Sequence, residues 1–141
     1  MSGWSKHGLS CYSVGTERMT CKHAVKSCKK EGAHLVEYES EDEVKFVLDL
    51  VLSIAGRYGS GKFTGFLIGG SDQKKEGTWK WTSSGRAIDA GFTYWLEGQP
   101  DNYSNEDCLT SCINQNGTWN DIDCNNERKY VCEKPLFDNI D

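Results

Sequence analysis

The chain has 141 residues, enough for one domain with a real core, and its 37% hydrophobic and 26% charged content is globular rather than disordered. A formal net charge of −5 argues against a nucleic-acid or anionic-membrane partner, and no apolar run approaches the ~20 residues that span a bilayer. Seven cysteines point to an oxidising compartment and a disulfide framework, and the odd count leaves at least one thiol free or bonded to another chain. No apolar leader is visible, so a secreted protein is expected to be a mature or trimmed chain.

In chain order, residues 3–14 carry Trp4, Leu9, Cys11 and Tyr12 and predict an edge strand or hairpin. Across residues 19–31, Cys21, Ala24, Val25 and Cys28 recur at helical spacing, with Gly32 as a stop. Lys22, Lys26, Lys29 and Lys30 lie mostly on other faces; the acids Glu37, Glu39, Glu41, Asp42 and Glu43 follow closely, so the basic cluster reads as solvated helix surface rather than a phosphate-binding stripe. Cys21 and Cys28 stand about 10 Å apart along a helix axis, beyond the roughly 7 Å that a disulfide tolerates.

Residues 34–38 read as a short strand. Ser40 to Glu43 has the form of a capping box, serine at N-cap and carboxylate at N3. The helix it opens shows Val44, Val47, Leu48, Val51, Leu52 and Ala55 on one broad face and can end at Gly56. Phe46 and Leu50 make its other side unusually apolar, which fits either deep burial or a subunit contact. Residues 56–65 form a glycine-rich loop, 66–70 a buried strand, and 78–82 an alternating strand with Trp79 and Trp81 on one face. From 83 to 106 there is little periodicity; a loop this long inside a compact domain usually carries function. Short strands at 108–113, 118–121 and 129–133 close an α+β domain over residues 1–134, with 135–141 as a C-terminal tail.

Oxygen-bearing side chains crowd residues 99–107 and 119–123. Calcium takes roughly 6–8 oxygen ligands at about 2.3–2.6 Å. The reading is that Gln99, Asp101, Glu106, Asn120 and Asp121 hold one calcium ion whose open positions accept sugar hydroxyls.

The ordered set Cys11-Tyr12, Ala24 with Cys28, Gly32 to Val36, Phe66 to Gly69, Gln99-Pro100-Asp101, Glu106-Asp107-Cys108, Trp119-Asn120-Asp121 and Tyr130-Val131-Cys132 resembles a C-type lectin domain over about residues 3–134. The resemblance implies two helices with small antiparallel sheets and a long calcium-binding loop, stapled by disulfides Cys28–Cys132 and Cys108–Cys124. It implies the same five ligands for the sugar-binding calcium, with a cis bond before Pro100 turning Gln99 and Asp101 towards one ion. The family's mannose-type members carry Glu-Pro-Asn at these three positions and its galactose-type members Gln-Pro-Asp, as here. Carboxylates only accept hydrogen bonds and amide NH2 groups donate them, so the swap suits the axial 4-hydroxyl of galactose or GalNAc. Tyr103 follows where galactose binders often place an aromatic ring, though the loop after Asn102 lacks the glycine-rich insert that fixes such a ring. Asp72, Glu76, Asn102 and Asp107 match an auxiliary calcium site that would brace the loop.

The family's long form has a cysteine just before Gly3 that bonds the one at Cys11, and here it is lacking. Cys11, Cys21 and Cys112 are therefore left without a pattern: one pair and one free thiol, or a disulfide-linked homo-oligomer. Zinc is disfavoured because the cysteine spacing lacks a compact pair. Of the two N-glycosylation sequons, at Asn102 and Asn116, the second is the expected acceptor, since a glycan on Asn102 would obstruct the sugar site. An enzyme is not expected: the clustered acids are taken by calcium, and His7, His23 and His34 all lie far in sequence from the polar loop. The expectation is a secreted, extracellular lectin, and immune recognition, agglutination and adhesion all fit it. Rivals are a lectin-like module that binds protein or another surface without sugar, and a Gln-Pro-Asp lectin of mannose/GlcNAc or broad sugar specificity.

Overall fold

The computed structural model describes residues 3–75, 77–100 and 107–136. Its elements run β1 (Ser5–His7), β2 (Ser10–Val14), α1 (Cys21–Lys30), β3 (His34–Leu35), α2 (Glu41–Ala55), β4 (Gly65–Ser71), β5 (Lys80–Trp81), a short 3-10 helix (Ile88–Ala90), β6 (Cys108–Cys112), β7 (Trp119–Ile122) and β8 (Lys129–Pro135). The predicted hairpin at the start is β1 turning into β2, with Ser5 opposite Tyr12.

Both helices begin where their caps dictate. The Thr20 side chain accepts from the His23 N–H, and Lys29 and Lys30 in the last turn of α1 face its negative end. Ala24 and Cys28 form the buried side of α1. In α2 the Ser40 hydroxyl accepts from Glu43 N at 3.2 Å. The reciprocal half of the capping box does not form. Glu43 turns inward, where its carboxylate accepts from Glu39 N at 2.7 Å and from the Tyr12 hydroxyl at 2.5 Å. The tertiary partner on β2 competes successfully for the local one. Val44, Val47 and Val51 are buried, as their spacing predicts. Phe46 stacks on His7 at 4.5 Å and meets Tyr12 at 5.5 Å, so the chain's own hairpin packs on the extra apolar side of α2.

The strands run in the order β1-β2-β8-β4-β6-β7, with β3 added on β8 and β5 on β4. The pairing of β4 with β8 is parallel and the other strand pairs are antiparallel. The strand predicted at 34–38 shortens to two residues because the chain then leaves β8 to serve two strands at once: Val36 N donates to Val131 O at 3.0 Å and Val36 O accepts from Gly69 N at 2.8 Å. That crossing needs glycine at 69, where a Cβ would lie 2.8 Å from Leu35 O and 3.1 Å from Val36 O. The β4–β6 register slips between Ile68 and Ser71, beside the same contact.

The apolar interior has two parts. One, under α2, gathers Val44, Val47, Phe66, Ile68, Leu109 and the tryptophans Trp79, Trp81 and Trp119. The other, under α1, gathers Ala24, Leu35, Leu67, Tyr130 and both disulfides' cysteines. Cys28–Cys132 and Cys108–Cys124 are bonded, as the resemblance implies. Cys11, Cys21 and Cys112 are all free, so the expected extra pair within the chain does not form. They stand on β2, α1 and β6, and β2 and β6 are not neighbours in the sheet. Cys11 and Cys112 are buried and Cys21 is half-buried; burial pushes the thiols of Cys21 and Cys112 up to about 11.

Candidate functional site

The expected ligands Asn120 and Asp121 occupy β7, the outer strand of the sheet path, opposite Thr110 and Leu109 of β6. Both are buried, Asp121 completely. A carboxylate in that position requires a charged or hydrogen-bonding partner to offset its lost hydration. The Thr110 hydroxyl donates to Asn120 O at 3.3 Å and helps to fix the strand.

Trp119, the residue before them, is the anchor. Its fully buried ring is met by Trp81 at 5.3 Å, Trp95 at 5.7 Å, Phe92 at 5.8 Å and Tyr38 at 6.0 Å. Such offset and edge-on contacts each contribute about 0.5–1.5 kcal/mol beyond area burial. They hold one end of β7 rigidly.

The long loop is sewn to the same strand. Trp119 N donates to Tyr94 O at 2.8 Å, and Leu96 N donates to Trp119 O at 2.9 Å. One turn later Gln99 N donates to Leu96 O at 2.8 Å, and the Gln99–Pro100 bond is cis. The backbone thus delivers Gln99 from the loop and Asn120 and Asp121 from the strand to one end of the sheet. Asp101, Asn102, Tyr103 and Glu106 lie outside the described residues.

Of the auxiliary set, Asp72 and Asp107 come together. Asp72 N donates to Asp107 O at 3.2 Å, and Asp72 Oδ2 accepts from Gly77 N at 2.9 Å. Asp72 is buried and Asp107 half-buried. Glu76 lies outside the described residues. Among the described residues no three of His, Cys, Asp and Glu gather as a metal site. The candidate ligands among the described residues carry amide and carboxylate oxygens, without imidazole or thiolate; that chemistry fits calcium rather than a softer metal.

Reading the sequence missed the part played by the aromatics. Phe92, Tyr94 and Trp95 stood out in the loop, but nothing in their spacing identified Trp119 as their target. The signal available was density: Trp79, Trp81, Phe92, Tyr94 and Trp95 all precede Trp119 in a stretch otherwise rich in glycine and polar residues. Asn116 is exposed, in the turn between β6 and β7.

The model of the lectin C-type domain matches residues 17–134, and the chain belongs to that family. A perlucin-like protein of Mytilus galloprovincialis is 32% identical over 133 residues, 93% of this chain and 80% of its own length. The hepatic lectin of Gallus gallus is 34% identical over 94% of this chain, which spans only 58% of that protein. Among solved structures, the carbohydrate-recognition domain of the mouse scavenger receptor C-type lectin superposes with a TM-score of 0.82, 28% identity and 97% coverage of both chains. A calcium-independent type II antifreeze protein superposes with a TM-score of 0.79 at 25% identity, covering 96% of this chain and 93% of its own. Domains of this family are generally non-catalytic carbohydrate binders, and they typically bind calcium.

Proposed function

We propose that this domain is a calcium-dependent lectin for galactose or GalNAc at glycan ends. Gln99, Asp101, Glu106, Asn120 and Asp121 would hold the ion, and the same residues with Tyr103 would meet the sugar. Asp72, Glu76, Asn102 and Asp107 would hold a bracing second calcium. Bound calcium supplies a hard Lewis-acidic centre for two adjacent sugar hydroxyls. Gln99 and Asn120 supply amide donors, the carboxylates accept, and the order of acids and amides selects the sugar. The observation that supports this reading is the backbone pairing of the long loop with β7, Leu96 N to Trp119 O, three residues before the cis Gln99–Pro100 bond and one before Asn120. The two disulfides and the family's chemistry support a secreted, extracellular protein.

A second reading, a lectin-like module that binds a non-sugar surface without calcium, is favoured by the resemblance to the calcium-independent antifreeze protein. A glycan array separates them. The expected result is binding to galactose-terminated glycans in calcium that vanishes in EDTA, and a shift towards mannose in Gln99→Glu/Asp101→Asn. A blank array, or sugar binding unchanged by EDTA, would overturn the calcium-lectin reading.

A further inference from the structure

We propose a second binding site, a basic groove between α1 and the β4–β5 turn that takes a sulfated polysaccharide without calcium. Lys22, Lys26 and Lys29 recur at helical spacing along one side of α1, away from buried Ala24 and Cys28. With His23 they line a cavity of about 650 Å³, whose other walls include Gln73, Thr82 and Asn125. A neighbouring cavity of about 190 Å³ shares Ser71, Gln73 and Thr82 with it and adds Lys74, Lys75 and Lys80. The two cavities therefore meet along those shared residues and bring lysines from both elements to one groove.

The described lining of this groove carries positive charge alone. Among the described residues lining the cavities there is no carboxylate. The salt bridges among the described residues are Lys45–Glu41 and Arg86–Glu39, and none of the groove lysines takes part. Four of the five acids that follow α1 in sequence are engaged elsewhere. Glu37 accepts from Ser83 N, Glu43 from Tyr12, Glu39 from Arg86, and Glu41 pairs with Lys45. On a chain of net charge −5, ammonium groups segregated in a cleft make a local positive field that a polyanion can discharge.

Its chemistry selects among polyanions. Lysines act as point charges with freely turning donors, which suits sulfate groups carried on a flexible chain. Between them stand the hydroxyls and amides of Ser71, Gln73, Thr82 and Asn125, which suit sugar hydroxyls. Single-stranded nucleic acid would want several exposed rings to stack on; among the described residues lining these cavities Trp81 is only 3% exposed, which leaves the single imidazole of His23. A bilayer surface would want protruding apolar side chains, and Val25 on α1 is half-buried. Among the described residues, none of the candidate sugar-site ligands Gln99, Asn120 and Asp121 lines either cavity.

The test is retention of the whole protein on immobilised heparin in EDTA, with fully desulfated heparin as control. The expected result is salt-sensitive binding to the sulfated resin alone, weakened about tenfold or more in Lys22→Gln/Lys26→Gln/Lys29→Gln and again in Lys74→Gln/Lys75→Gln/Lys80→Gln. Lys45→Gln/Lys134→Gln should bind like the parent. Circular dichroism should show every variant folded, since the altered side chains are exposed or, for Lys134, half-buried at the surface. No retention in EDTA, equal retention of the groove variants, or equal affinity for duplex DNA or phosphatidylserine vesicles would overturn the proposal. Loss of galactose binding with heparin retention intact would bear on the calcium loop alone.

Discussion

Glu43 shows how far one residue's chemistry is set by its surroundings. Burial, the nearby charge of Glu133 and that of Glu39 push its carboxyl from the ordinary 4.5 up to about 7, against hydrogen bonds from Tyr12 and Glu39 N that pull the other way. The Glu133 carboxylate is itself held by Ser10 Oγ at 2.8 Å and Glu37 N at 3.1 Å. Between pH 4.5 and about 7 the folded protein keeps a proton that the unfolded chain has lost. Folding is therefore weakened as pH rises through that window and levels off above it, with a slope of at most about 1.4 kcal/mol per pH unit. Glu43→Gln keeps an acceptor for Glu39 N and removes the charge. Thermal melts should show the parent losing stability relative to this variant from pH 5 to 7; parallel curves would refute the account.

At the scale of elements, the junction of β4 with the 36–38 segment controls how the halves of the fold meet. Gly69 lies against the carbonyls of Leu35 and Val36, and Val36 O cannot move without breaking its hydrogen bond from Gly69 N. Gly69→Ala is expected to lower stability by about 1–3 kcal/mol through overpacking. Urea denaturation measures it, and a change below about 0.5 kcal/mol would mean that the strands yield easily. The cost should fall on folding rather than on the sugar site, because Gly69 is not among the proposed ligands.

At the scale of the whole molecule, Cys28–Cys132 ties α1 to β8 across a sequence separation of 104. In the chain-entropy model such a bridge contributes about 4–5 kcal/mol, against about 3 for the shorter loop closed by Cys108–Cys124. Cys28→Ala/Cys132→Ala should therefore destabilise more than Cys108→Ala/Cys124→Ala in urea titrations; the reverse order would contradict it. The second pair should instead lower calcium affinity more, because it closes the chain between the loop and β7. Single sugar sites are weak, and one domain carrying both a terminal-sugar site and a sulfate groove could gain avidity on a mixed glycan surface.

Local pattern alone determined a good deal: helical spacing and the Ser40 cap located α2, alternation located the tryptophans, and the ordered Gln-Pro-Asp and Trp-Asn-Asp motifs located the candidate ligands. These signals lie within a few residues of one another, so a linear reading captures them. What only the tertiary structure decided depends on partners distant in sequence. Glu43 left its capping box for Tyr12, Trp119 gathered four rings from three other segments, and the lysines of α1 and of the β4–β5 turn line cavities that share Ser71, Gln73 and Thr82. Burial and charge act through space, and the sheet order that brings those segments together is set by long-range pairing that no local window contains.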